Sequence, residues 1–224
     1  MIRTLIICFD GLDRKPVEEY DLVNVKQVDY GDIRGGGTFS GLLWSSFLTG
    51  RSPEEHKIKS WKDEALSTPN YFEDKFPTIV SLFKRPQVLY FPFVDPRWKI
   101  YLGVEHSLPK IYEVNAKVFE EVLKVSKGDW DLLLTCFMLI DNLGHKGMLN
   151  RSAYYLIDEW VKIIKEKSRP EWTLIIGDKS PRHTLPGFYS SSIVLERKPE
   201  TIEDFYSIIK ERLQNVSKSN TRSI

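Results

Sequence analysis

The stretch Thr4-Leu-Ile-Ile-Cys-Phe-Asp-Gly11, TLIICFDG, is a continuous run of apolar and β-branched residues that stops at an aspartate and a glycine. Unbroken apolarity over so short a length fits a strand buried on both faces, and Asp-Gly is a turn signal. The same design returns twice. The run DLLLTCFMLI over 131–140 ends at Asp141, and TLII over 173–176 leads through Gly177 to Asp178. Between these runs lie segments of helical spacing. Val114, Val118, Val122 and Val125 share one helical face, 152–167 reads as an amphipathic helix, and 202–213 reads as a last helix. Alternation of buried strands with helices predicts an α/β fold, a three-layer α/β/α sandwich around a mostly parallel sheet. In such a sheet the ligand crevice lies at the carboxyl ends of the strands.

Further elements follow from local pattern. The alternating segment 22–30 (LVNVKQVDY) predicts a more exposed strand, followed by a glycine-rich loop over 31–37. That loop lacks the GK[ST] ending of a P-loop. A short helix is expected over 44–49, closed by Gly50. Helical structure is expected near 79–83, a strand at 87–93 and another at 189–195. The aromatic stretch 90–98 reads as core packing, and 95–109 as irregular. The division is one domain over 1–214 and a polar, frayed tail over 215–224.

The chain has 224 residues, 42% of them hydrophobic and 12% aromatic, enough for a true core. Its 32 basic and 31 acidic side chains leave a net charge of +1, so no global field draws nucleic acid. No run reaches the roughly 18 apolar residues of a membrane span, and the first apolar run is too short for a signal peptide. The expectation is a soluble cytoplasmic protein with neither duplex nor membrane as partner. Cys8 and Cys136 fall inside apolar runs and read as buried thiols, with one disulfide as the alternative.

Asp10, Asp141 and Asp178 would share one rim of a parallel sheet. Three carboxylates gathered there repel one another unless cations neutralise them. Each alone has a plain explanation as a cap or turn residue. Histidines follow two of them: Asp141-Asn-Leu-Gly-His145 has DxxGH spacing, and His183 follows Asp178. Mixed carboxylate and imidazole donors suit zinc or manganese. His56 reads as fixing a turn, and His106 as a surface or loop residue.

These segments resemble the alkaline phosphatase superfamily, and most of all its type I phosphodiesterase/nucleotide pyrophosphatase branch. LIDNLGHKG over 139–147, the helix and strand after it and the GDKS ending look like that branch's DxxGH turn, helix, strand and SDHG. SGLLWSSFLTGRSPEEHKI over 40–58 is similar to its nucleophile segment, CFDG over 8–11 to its first-strand metal aspartate, and RHTLPGFYSSSIV over 182–194 to its late metal-histidine segment. The four segments occur in the family's order and span most of the chain. The resemblance implies a metal-dependent hydrolase of phosphate esters, with a small phosphate-containing substrate and a nucleotide among the candidates. It implies a nucleophile at Ser40, with Thr38 as a fallback. One zinc or manganese ion would take Asp141, His145 and His183; a second would take Asp10, Asp178 and the Ser40 oxygen. Amides at the start of the following helix would add positive dipole toward a phosphate.

The chain departs from that pattern at several points. Lys179 stands where the family has a metal-binding histidine, Leu42 where it has a proline, and His56-Lys57-Ile58 where it has HGI. The chain is short, so the substrate-binding cap is reduced or absent. Lys179 admits three readings: a salt bridge to Asp10 or Asp178, an ammonium that replaces a metal's charge, or a neutral lysine with a depressed pKa. Two other functions stay open: a catalytically silent relative that keeps the fold as a binding module, and a phosphomutase of the same superfamily.

Overall fold

The structure is a computed structural model of the chain and describes residues 2–34, 39–58, 71–101, 107–181 and 185–221. Its centre is the run that opens the sequence. Strand β1 (Thr4–Phe9) is wholly buried and lies between β4 (Leu132–Phe137) and β5 (Trp172–Lys179), parallel to both. Strand β3 (Pro86–Leu89) extends the sheet beside β4, again parallel. On the other side β6 (Pro186–Ser191) returns antiparallel to β5, and β2 (Asp29–Ile33) pairs antiparallel with β6. The order is β2-β6-β5-β1-β4-β3.

Side chains leave a strand on alternate faces, so one continuous apolar run feeds two cores. Leu5, Ile7 and Phe9 pack with Leu133 and Phe137 under α4 (Leu108–Ser126) and α6 (Arg151–Ser168). Ile6 and Cys8 pack with Leu132, Leu134 and Cys136 under α2 (Ser40–Thr49) and α7 (Asp204–Thr221). Each fully buried Leu, Ile or Phe contributes about 1.5–3 kcal/mol relative to exposure. These are the three layers expected from the sequence. Short helices α1 (Arg14–Glu19), α3 (Pro53–His56) and α5 (Leu139–His145) complete the described chain, with 3-10 turns at Val80–Leu82 and Pro96–Tyr101. Gly50 closes α2 in the left-handed conformation, as its position predicts.

Several boundaries differ from the sequence reading. Segment 22–27 is turn, not strand, because Asp158 of α6 accepts hydrogen bonds from the backbone of Asn24 (2.8 Å) and Val25 (2.9 Å) and from the Asn24 amide (2.7 Å). The strand starts only at Asp29. Strand β4 ends at Phe137, and the apolar residues after it open helix α5. Buried Asn115 on α4 marks that junction, accepting the Met138 N–H at 3.2 Å. Strand β5 runs on through Asp178 and Lys179. The backbone of 215–221, read as tail, is the end of α7; 222–224 lie outside the described residues. Both cysteines are free thiols, buried and opposite each other in the β1–β4 register. Among the described residues no helix is long and apolar enough to cross a membrane.

Candidate active site

Backbone N–H groups tie the carboxyl ends of β1, β4 and β5 to one another. Asp10 donates its N–H to the Phe137 carbonyl (2.9 Å), and Asp141 donates its own to the Asp10 carbonyl (3.2 Å). Gly11 donates to Asp178 Oδ1 at 3.0 Å. Gly11 has φ of +82°, and a Cβ there would stand 2.9 Å from the Asp141 backbone, so only glycine permits this approach. Gly177 is tighter still, since an added Cβ would lie 2.1 Å from the Leu12 carbonyl oxygen. These contacts bring all three aspartates to one rim, as the sequence predicts. Asp141 reaches it differently: it lies in the first turn of α5, not at a strand end.

On the β1–β5 side the charges close on one another. Lys179 Nζ donates to Asp178 Oδ2 at 2.8 Å and to Asp10 Oδ1 at 3.4 Å, and it contacts Ser40 Oγ. Ser40 Oγ in turn donates to Asp10 Oδ1 at 2.8 Å. Asp178 is 0% exposed, Lys179 4% and Ser40 5%. Burial works against the ammonium, but Asp10 and Asp178 outweigh it and hold the Lys179 pKa above its usual value. The two ion pairs fit the salt-bridge reading of Lys179 rather than that of a neutral lysine. Lys179 pairs with both carboxylates, in the place a cation would need. Burial, then the charge of Asp141, raises Asp10 above the usual carboxylate range; Lys179 and the Ser40 hydrogen bond act the other way. Burial, then Asp10, pushes Asp178 up to about 6 against the pull of Lys179 and the Gly11 N–H.

Ser40 is the first residue of α2. The N–H groups of Leu42 and Leu43 bond the Phe39 carbonyl, so those of Ser40 and Gly41 are the helix-opening donors beside the hydroxyl. Beside Asp10, Trp44, Tyr90 and Trp98 help enclose a void of about 10 Å³, and the buried Trp44 indole N–H has no hydrogen-bond partner among the described residues. Tyr90 has φ of +56°, uncommon for an aromatic residue, and its N–H is held at 2.8 Å by Asp95.

The Asp141 side is built otherwise. His145 lies one helical turn along α5, its Nε2 3.3 Å from Asp141 Oδ1. The His145 side chain is 52% exposed and that of Asp141 10%. Asp141 Oδ1 is buried and makes no hydrogen bond among the described residues, with the imidazole close by. Burial pushes Asp141 up to about 7, with Lys179 lowering it and Asp178 raising it.

The two halves fit a cation unequally. Asp141 and His145 offer an oxygen with no hydrogen bond among the described residues and an adjacent imidazole, the donor chemistry a divalent ion takes. Asp10, Asp178 and Ser40 do not fit one, because Lys179 holds their inward-facing atoms. Among the described residues no group of three or more His, Cys, Asp or Glu side chains could hold a metal. His183, the third expected ligand, lies outside the described residues, as do Thr38 and His106. His56 does fix a turn: its Nδ1 accepts the Ile58 N–H at 3.1 Å, which leaves Nε2 to donate to Ser46 Oγ at 3.1 Å.

Sequence reasoning missed a crevice of about 480 Å³ next to this rim, between Asp13, Lys15 and Tyr20 after β1, Asn150 and Tyr154 around the start of α6, and Ser180 after β5. Asp13 follows Asp10 on the same loop, the one signal that pointed there. A groove of similar volume beside β3, lined by Phe72, Phe76, Phe83 and Val88, is mainly apolar and lies away from the aspartates.

No family model matches the chain, and no curated protein matches it in sequence. Solved structures do resemble it. BT1596, a 2-O GAG sulfatase, superposes with a TM-score of 0.60 at 11% identity, over 90% of this chain and 68% of that one. The PH0037 protein from Pyrococcus horikoshii superposes with a TM-score of 0.58 at 13% identity, over 95% of this chain and 97% of that one. At these identities the likeness is one of fold.

Proposed function

We propose that the chain is a hydrolase of phosphate esters, of the phosphodiesterase or phosphatase kind within the alkaline phosphatase superfamily, with Ser40 as its nucleophile. The observation that carries this reading is the Ser40 hydroxyl. It sits at a helix N-terminus on the carboxyl rim of a parallel sheet, hydrogen-bonded to one carboxylate and in contact with an ammonium. A hydroxyl needs a proton acceptor and a positive neighbour to attack an ester, and both are present. The fold shared with a sulfatase agrees with chemistry on an anionic ester, and the crevice beside Asp13 offers room for the ester's organic group.

Asp141 and His145, joined by His183, would hold one zinc or manganese ion, which supplies positive charge to the ester's oxygens. The chain's own groups do the rest. Ser40 supplies the attacking oxygen, Lys179 places positive charge beside it, and the Ser40 and Gly41 N–H groups that open α2 orient the anion. The cluster Asp10, Asp178 and Lys179 sums to one negative charge, so singly charged esters suit this rim better than doubly charged ones.

The test is turnover of p-nitrophenyl phosphate, bis(p-nitrophenyl) phosphate and p-nitrophenyl sulfate, with and without added zinc or manganese. Turnover of the diester that falls by about a thousandfold or more in Ser40→Ala supports the reading. Absence of turnover on all three sinks it. The closed ion cluster around Lys179 favours a second reading, a silent relative kept as a binding module, and the same absence of turnover would support that one.

A further inference from the structure

We propose that the Ser40 half of the site works without a metal ion: Asp10 is the base that takes the Ser40 proton, and the Lys179 ammonium stands where a second cation would stand. The inference rests on the hydrolase reading for its substrate, but its test does not depend on turnover.

The geometry is specific on each link. A serine that serves as a metal ligand must turn its lone pairs toward the ion. Here Ser40 Oγ gives its proton to Asp10 Oδ1 at 2.8 Å and meets Lys179 Nζ with a lone pair. The ammonium cannot turn aside without leaving a carboxylate unpaired in the interior, because it also bonds Asp178 Oδ2 at 2.8 Å and reaches Asp10 Oδ1 at 3.4 Å. Asp178 in turn is locked by the backbone N–H groups of Gly11 at 3.0 Å and Lys179 at 2.9 Å. A divalent ion at this spot would have to expel a buried, doubly paired lysine and then face its charge. Asp10 is the only carboxylate that the Ser40 hydroxyl bonds among the described residues, and its burial makes it a stronger base than an exposed aspartate.

The step balances without further reagents. As Ser40 Oγ attacks phosphorus, the Oγ–H bond breaks and the proton passes to Asp10. The Oγ–P bond forms, and the bond to the ester's leaving oxygen breaks opposite it. The departing alkoxide takes a proton from solvent water, leaving hydroxide. That hydroxide cleaves the phosphoseryl ester, and the serine oxygen recovers its proton from Asp10. Lys179 stays charged throughout and lowers the energy of the oxygen as it gains negative charge.

Reaction of the full chain with a fluorophosphonate isolates the first step, since Oγ–P forms, fluoride leaves and no hydrolysis is needed. Modification of Ser40 is followed by intact-mass spectrometry in a chelating agent and in zinc. The expected result is modification of the wild type in the chelating agent as well as in zinc, and none in Ser40→Ala. Asp10→Asn should slow the reaction by about 10²–10⁴-fold, and Lys179→Met by about 10²–10³-fold. Lys179→His, which restores a metal donor, should make the reaction depend on zinc. Should either charge-removing variant fail to fold, the paired Asp10→Asn/Lys179→Met variant removes one charge of each sign and is measured instead, with a loss at least as large as for either single change. A wild-type rate that needs zinc, or no modification of Ser40 in any condition, overturns the inference. Modification without ester turnover would leave it standing and sink the hydrolase reading. Turnover without modification would do the reverse.

Discussion

The two sides of the aspartate rim solve one electrostatic problem in opposite ways. Around Lys179 every charge has a partner within the protein: one ammonium, two carboxylates and a hydroxyl, all nearly inaccessible. Around Asp141 the carboxylate is almost as buried, yet one oxygen makes no hydrogen bond among the described residues, and the imidazole 3.3 Å from it belongs to a half-exposed histidine. The first cluster is complete as folded. The second leaves one buried oxygen unmatched among the described residues, and the two share a backbone so closely that Asp141 donates its N–H to the carbonyl of Asp10. Only the first of these buried acid groups has its counter-charge at hand in the same cluster.

The sharpest way to break this contrast is to remove the internal cation. Lys179→Met leaves Asp10 and Asp178 buried and unpaired, and should cost about 3–5 kcal/mol, a fall in Tm of about 6–20 °C for a chain of this size. A fall of under about 2 °C in thermal denaturation at pH 7.5 would show that the cluster is not the closed unit described.

The next effect is in pH. Asp141 at about 7 and Asp178 at about 6 lie above their unfolded values, so the folded state binds protons more tightly than the unfolded chain. Their contribution is fully present below about pH 4 and is lost as pH rises through 6 to 7. Between pH 5 and pH 8 it should fall by on the order of 3 kcal/mol. Asp141→Asn should flatten most of that slope and raise Tm at pH 8. A variant that keeps the wild-type slope would place the effect elsewhere.

Zinc at about one hundred times its Kd should stabilise the wild type by about 2.7 kcal/mol. Calorimetric titration should find that binding lost in Asp141→Asn and kept in Ser40→Ala. Loss in Ser40→Ala would put the ion on the Lys179 side and reverse the comparison. The smallest effect is on stability in Ser40→Ala itself, about 1 kcal/mol, because Asp10 keeps its contact with Lys179.

The sequence made the sheet's centre legible because β1, β4 and β5 are apolar on both faces, a pattern that few other contexts produce. It also made the charge problem legible: three rim aspartates call for cations, and a lysine stood among them. What it concealed was settled by contacts distant in sequence. The apolar run before Asp141 reads equally well as strand or as the start of a helix, and Asn115 on another helix helps to fix the change at Met138. The alternation at 22–27 reads as strand, but a carboxylate on α6 folds it into a turn. The bond between Ser40 and Asp10 has no local signal; only a family resemblance in the nucleophile segment pointed to Ser40.

Cys8 and Cys136 face each other across β1 and β4, in the two strands whose ends carry or adjoin this rim. Burial raises both thiols well above their usual pKa and keeps them from reagents. They react only in molecules whose central strands have come apart. Under conditions where reclosing outpaces labelling, the rate of thiol modification counts such openings and gives their free energy. The chain therefore contains its own clock for the separation of its central strands, and the clock can be read in each charge variant without adding a probe.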